Sequence, residues 1–240
     1  MNSTQITTEK SHILYDADNI GQVDDSFFEP QAWAEKKLLL DSAPGRGTTV
    51  FVQNGETVYA LRHYQRGGLP ARLSRDRYLW RGLEQSRPWQ EWRLLAELHQ
   101  RGLPVPRPVA ARAVRHGISY EADIVTERID ALPLAEWLGR KRLSSQLLTG
   151  IGACLCRFHE EGVYHADLNA RNILLDEAGK VYLIDFDRCE LRKPANGWRR
   201  ANLERLKRSL EKFRRQQRHF AFDDEDWKAL LRGYDEALSQ

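Results

Sequence analysis

The sequence predicts an α+β fold with a small β-rich N-terminal lobe and a helical C-terminal lobe. Short β-branched runs joined by turn residues fill the first half of the chain. Long stretches with apolar residues three and four apart fill the second. Across 240 residues, 41% hydrophobic and 30% charged, there is enough apolar surface for a real core and too much for a disordered chain.

The elements follow in order. The first forty residues give a weak signal. The run 48–52 reads as a strand, Asn54-Gly55 as a tight turn and 57–64 as the returning strand. Pro88 suits a first helical turn, and 89–100 has helical spacing, with Gly102 ending it. The prolines at 104, 106 and 108 keep the next segment extended. Two more strands, 109–114 and 118–126, flank His116-Gly117. A long helix is predicted over 143–161, with Ser144 or Ser145 as N-cap. A hairpin of 172–176 and 180–185 turns at Glu177-Ala178-Gly179, and two helices, 198–217 and 224–238, close the chain. The expected boundary divides a nucleotide-binding lobe, 1–126, from a catalytic lobe, 127–240. Ligands commonly bind in the cleft of such a pair, near Glu127.

Composition narrows the setting. The first thirty residues lack a basic start followed by an apolar run, and no apolar stretch is long enough to span a bilayer, so the expectation is a soluble or peripherally attached protein. Three cysteines, Cys154, Cys156 and Cys189, make no disulfide framework and suit a reducing compartment. Net charge is only +3, but 192–218 holds eleven Lys or Arg against two Glu, and a second basic stretch runs over 62–81. Polyanions are plausible partners for both, and a solvated helix face has the same signature. No nucleic-acid motif is present, and no protein partner is evident.

The sharpest motif is His165-Ala166-Asp167-Leu168-Asn169-Ala170-Arg171-Asn172, with Asp185 of Ile184-Asp185-Phe186-Asp187 following Asn172 by thirteen residues. Phosphoryl transfer needs little covalent chemistry from a protein. One carboxylate must orient and deprotonate the attacking hydroxyl. A second acidic group and an amide oxygen must hold Mg²⁺ against the phosphates. The Asp-x-x-x-x-Asn spacing fits a loop that carries base and metal ligand together, and the hairpin returns the second Asp to it.

Three other candidates are less specific. Gly45 and Gly47 head a hairpin, where backbone N–H groups can approach phosphate oxygens; an ordinary turn looks the same. Arg62 sits on the next strand and can contact phosphate as a planar fork, with a surface arginine as the alternative and His63 a weaker candidate. Glu91 opens the segment 91–98 of the helix 89–100, whose apolar stripe is Leu94, Leu95 and Leu98. It can pair with the strand cation, with Glu97 as its rival.

With these residues assembled, the chain resembles the 3-deoxy-D-manno-octulosonic acid (Kdo) kinase family, in the lipopolysaccharide kinase branch of the protein-kinase-like bilobal fold. The resemblance spans about 45–234. It is carried by Gly45-Arg46-Gly47-Thr48-Thr49, Leu61-Arg62-His63-Tyr64, Arg66-Gly67-Gly68, Ser74-Arg75-Asp76-Arg77-Tyr78-Leu79-Trp80, the proline-rich 102–108, and the Asp167 and Asp185 motifs. It implies transfer of the ATP γ-phosphate to the 4-hydroxyl of Kdo on a lipid A precursor, at the cytoplasmic face of the inner membrane. By position it implies Asp167 as base and Asn172 and Asp185 as Mg²⁺ ligands. Asn169 stands in the catalytic set where protein kinases have Lys, Asp187 replaces the Gly of Asp-Phe-Gly, and no Ala-Pro-Glu follows, which weakens a protein as acceptor. Gly45, Gly47, Arg62, Glu91 and Glu127 are the nucleotide-binding candidates. Other readings are a heptose or aminoglycoside kinase, or a lipid-binding pseudokinase that Arg62 alone favours. On the helix 198–217, Leu203, Leu206, Leu210 and Phe213 are expected to face the core. The surrounding cations are then left for water, an anionic membrane surface or the acceptor's phosphates.

Overall fold

The computed structural model describes residues 1–42, 49–65 and 76–239. By its internal contacts the chain divides into two compact units: Met1–Gly102 with Pro106–Ile129, and Leu103–Val105 with Asp130–Gln240.

The first unit is a sheet with one major helix. Its elements are β1 (Ser3–Thr7), β2 (His12–Asp16), α1 (Pro30–Glu35), β3 (Leu39–Ser42), β4 (Thr49–Asn54), β5 (Thr57–His63), β6 (Tyr78–Leu79), α2 (Arg87–Gln100), β7 (Pro108–His116) and β8 (Ser119–Glu127). Among the described residues the strands form one antiparallel sheet, ordered β1-β2-β7-β8-β5-β4-β3, with β6 on β8. The turn at Asn54-Gly55 sets the β4–β5 register, Thr49 opposite Arg62 and Asn54 opposite Thr57. β7 lies inside the sheet and against α2, so Val109, Ala110, Ala111 and Ala113 are wholly buried. Ile13, Val52, Leu61, Val109 and Val125 share a core with Phe28 and Trp33.

The N-terminal forty residues, which carry only a weak signal in the sequence, build two strands, a short helix and the start of an edge strand. β2 joins the sheet through β7, about a hundred residues later in the chain. Its last residue, Asp16, is fully buried and accepts hydrogen bonds from Arg107 at 2.8 Å and the Asn2 backbone N–H at 2.9 Å. Burial works against its ionisation, but Arg107 and the Asn2 and Asp18 N–H groups outweigh it and hold the carboxyl below its ordinary range.

The second unit contains β9 (Leu132–Pro133), α3 (Leu134–Arg140), α4 (Ser145–Glu160), β10 (Val163–Tyr164), β11 (Ile173–Leu175), β12 (Val181–Leu183), β13 (Glu190–Leu191), α5 (Asn196–Gln216) and α6 (Asp224–Leu238). Ser144 caps α4 by accepting from the Leu147 N–H. Asp223 and Asp226 form a reciprocal capping box on α6. α4 and α6 cross backbone to backbone. A Cβ on Gly152 would lie 1.9 Å from the Leu230 carbonyl oxygen, and one on Gly233 would lie 2.1 Å from that of Thr149. No side chain fits at either position. α3 and the two-residue pair β10–β13 have no counterpart in the sequence reading, because so few residues carry no resolvable period.

α5 departs from expectation at two positions. Leu203, Leu206 and Leu210 are buried as predicted, but Phe213 is only half-buried and stacks on Phe220. Arg199 is not on the outer face. It is buried, donates to the His159 carbonyl at 3.2 Å and pairs with Glu160 at 2.7 Å.

Candidate active site

The segment from His165 to Asn172 alternates inward and outward. His165, Leu168, Ala170 and Asn172 are buried; Asp167 and Arg171 are exposed. The buried members anchor the loop, and that anchoring presents the Asp167 carboxylate to solvent with its side chain 62% exposed.

Several hydrogen bonds fix the loop. The Asn169 side-chain amide donates to the Asp167 carbonyl at 3.0 Å and to its Oδ2 at 3.1 Å, while Asn169 Oδ1 accepts from the Arg171 N–H at 2.8 Å. Asn172 Nδ2 donates to the same Asp167 carbonyl at 2.9 Å. Its amide nitrogen is thereby spoken for, and its oxygen is the end available to a ligand. His165 joins the two motifs: Nε2 donates to the Ile184 carbonyl at 3.0 Å, and Nδ1 accepts from the Asp167 N–H at 3.3 Å. Those partners require the neutral ring with its proton on Nε2. Burial, the largest influence, depresses the His165 pKa and favours that form.

The β11–β12 hairpin returns the second acidic motif. Ile173 pairs with Leu183, and the Ile184 N–H donates to the Asn172 carbonyl at 3.0 Å, so Asp185 follows directly on the residue bonded to Asn172. Asp185 has φ +64°, a left-handed conformation uncommon for a residue with a Cβ and a recurrent mark of functional sites. Phe186, wholly buried against His165 and Phe158, holds this turn in place.

The loop has a third support that the motif did not reveal. Asn202 of α5, also buried, accepts from the His165 N–H at 3.2 Å and donates to the His165 carbonyl at 3.0 Å. Ser209, two turns on, accepts from the Ala170 N–H at 3.2 Å. Between them Arg205 reaches Asp167, its Nη1 lying 3.6 Å from Oδ1. The available signal was an Asn and an Arg, at 202 and 199, set into an otherwise apolar stripe.

In the first unit, Arg62 and Glu91 meet. One Arg62 guanidinium nitrogen donates to both Glu91 oxygens, at 2.6 and 2.5 Å, and the Tyr64 hydroxyl donates to Oε2 at 2.5 Å. The Glu91 side chain is 3% exposed and that of Arg62 23%. Glu97, the rival, instead pairs with Arg101 on the helix surface. Glu127 ends β8 and is not in this cluster; it accepts from Asn19 at 3.1 Å and lies 3.8 Å from Arg107. His63 is paired with Asp123 at 2.7 Å; that hydrogen bond, opposed by burial, raises its pKa. Gly45 and Gly47 lie outside the described residues, as does the part of the second basic stretch at 66–75.

Among the described residues no three His, Cys, Asp or Glu side chains gather as a metal cage. One amide oxygen and one carboxylate, Asn172 and Asp185, fit an ion that keeps most of its shell as water and phosphate oxygens.

A 3-deoxy-D-manno-octulosonic acid kinase from Vibrio vulnificus is 41% identical over 94% of this chain and 95% of that one. Proteins of the same name from Xylella fastidiosa and Xanthomonas euvesicatoria are 45% and 44% identical, each over 93% of this chain and 89% of their own. A solved Rio2 kinase–ADP/Mg²⁺-phosphoaspartate complex from Chaetomium thermophilum is a distant likeness, 15% identical with a TM-score of 0.48, covering 87% of this chain and 74% of that one. The model of the lipopolysaccharide kinase (Kdo/WaaP) family matches residues 30–234, and the chain belongs to that family.

Proposed function

We propose that this protein transfers the γ-phosphate of ATP to the 4-hydroxyl of a Kdo residue on a lipid A precursor. The observation that carries the reading is the Asp167 loop, with its exposed carboxylate braced by Asn169 and its neighbour Asn172 bonded to the strand that leads into Asp185. The shared name of relatives 41–45% identical over nearly the whole chain supports Kdo as the sugar.

In the second unit, Asp167 accepts the hydroxyl proton as the hydroxyl oxygen bonds to the γ-phosphorus and the bond to the bridging oxygen breaks, releasing ADP. Asn169 limits rotation of the carboxylate, so the oxygen that takes the proton is fixed before the acceptor arrives. Asn172 and Asp185 would hold Mg²⁺, whose charge offsets that of the phosphate oxygens when bound. In the first unit, Arg62 is assigned to a nucleotide phosphate, with Glu91 and Tyr64 fixing its fork from the buried side. Gly45 and Gly47 are assigned to the same phosphates and Glu127 to the nucleotide.

The acceptor is a lipid, so we place the enzyme peripherally at the cytoplasmic face of the inner membrane. Exposed Arg200, Arg208, Lys212, Arg214 and Arg215 of α5 support attraction to anionic headgroups. The direct test is to incubate the protein with labelled ATP, Mg²⁺ and a Kdo–lipid A precursor. Phosphate on the Kdo 4-hydroxyl is expected, and γ-label confined to ATP and free phosphate would overturn the reading.

A further inference from the structure

α5 runs along the Asp167 loop in register. Positions 202, 205 and 209 share one helix face. Asn202 bonds the backbone of residue 165 and Ser209 that of residue 170, so Arg205, between them, is aimed at residue 167. The flanking bonds hold the helix against the loop, and the placement of Arg205 does not depend on its own ion pair.

That pair is a weak reason for an arginine here. Arg205 and Asp167 are 44% and 62% exposed, and their 3.6 Å separation is too long for a hydrogen bond. Exposed pairs of this kind contribute little to stability. Asp167 is the only charged partner of Arg205 among the described residues. Its guanidinium donors therefore face solvent beside the oxygen that is left over, since Asn169 occupies Oδ2 and Arg205 lies by Oδ1. Other α5 cations are differently placed: Arg199 is turned inward, Lys207 lies 4.0 Å from Glu211, and Arg214 lies 3.5 Å from Asp224.

We propose that Arg205 binds the carboxylate of the acceptor sugar and so sets which hydroxyl meets Asp167. This deepens the Kdo kinase reading and rests on it. A group fixed 3.6 Å from the base can engage only what lies close to the reacting hydroxyl. On a Kdo acceptor that is the carboxylate of the same ring, while the lipid A phosphates lie further off. A planar fork of N–H donors matches a carboxylate in two-point contact, and a two-point contact fixes ring orientation as well as position.

The test pairs two enzymes with two acceptors: wild type and Arg205→Gln, each with the free-acid Kdo–lipid A precursor and its Kdo methyl ester. With the wild type, esterification should raise the acceptor KM about tenfold or more, with kcat changing less. Arg205→Gln should show that rise already on the free acid and no further rise on the ester. Arg205→Lys should recover part of the loss. The KM for ATP should stay within twofold throughout. Additive losses from ester and substitution would overturn the proposal, as would an effect falling on the ATP KM, which would assign Arg205 to the γ-phosphate. A wild type indifferent to esterification also overturns it, and that arm needs no folded variant. Wild-type failure on both acceptors would overturn the Kdo reading itself, and this assignment with it.

Discussion

Asn202 brackets the backbone of His165 from both sides, its amide oxygen accepting from the residue's N–H and its amide nitrogen donating to the residue's carbonyl. Both partners are buried, so water cannot replace the lost bonds. Asn202→Leu, close in volume, leaves a donor and an acceptor unsatisfied. It should lower stability by roughly 2–4 kcal/mol. Turnover should also fall, because Asp167 is two residues away in the same loop. Thermal melting combined with kcat at saturating substrates checks this; a Leu variant that melts and turns over normally would show that the loop is held by other contacts.

Asp167 is the residue whose loss should cost chemistry without structure. Asp167→Asn keeps the shape, and the exposed side chain contributes little to folding. General-base catalysis usually contributes a factor of about 10²–10⁴, and a loss in that range is expected for kcat, with nucleotide affinity retained. Asp185→Ala should go further and abolish Mg²⁺-dependent turnover, while Asn172→Ala should shift the Mg²⁺ requirement upward. Activity titrated against Mg²⁺ for all three variants separates base from ligands.

The Arg62–Glu91 pair predicts a non-additive pattern. Arg62→Ala removes the guanidinium nitrogen that donates to both oxygens of a nearly buried carboxylate, which should destabilise the protein by about 3 kcal/mol. Glu91→Gln in the same background removes the charge that Arg62 had balanced and should recover part of that loss. Denaturant unfolding of the two single variants and the double variant tests the coupling. Both single variants should raise the KM for ATP.

His159 makes stability fall with acid. Burial, opposed by the hydrogen bond to Asn202 and reinforced by the charge of Arg199, depresses its pKa from 6.5 to about 4. Below about pH 6.5 the unfolded chain takes up a proton that the folded protein refuses. Stability from this group is therefore complete near neutrality and declines as pH falls towards 4, by about 3 kcal/mol in all. His165, also depressed by burial, acts in the same direction. Melting temperature followed from pH 7.5 to 4.5 should drop, and the slope should be shallower for His159→Gln, which removes the titrating ring.

The second unit was the more legible part of the chain because its signals are local. Ser144 and the Asp223–Asp226 box cap their own helices, and Gly179 turns the hairpin that lies beside it in sequence. β1 and β2 were not legible because their pairing is decided elsewhere. β2 has little pattern of its own and becomes a strand by meeting β7, with Asp16 waiting on Arg107 ninety-one residues away. The same holds within the site. Asp167, Asn169, Asn172 and Asp185 stand in a readable spacing, whereas Asn202 and Arg205 reach the loop only because α5 packs on it. The basic helix was read as a charged face, and its composition hid the three residues that address the loop backbone and Asp167.

The crossing of α4 and α6 has a consequence for how tolerance to substitution should be interpreted. Gly152 lies thirteen residues before His165 on the helix that feeds the loop, and Gly233 sits opposite on the last helix. Even a methyl group at either one collides with main-chain atoms of the partner helix, which have no rotamer to escape into. In a saturation scan scored by enzyme output, these two positions should therefore be as intolerant as Asp167 itself. A map of indispensable residues in this protein will thus mix two kinds of silence, one from missing chemistry and one from a helix held off its seat. Separating them takes a folding measurement alongside the activity.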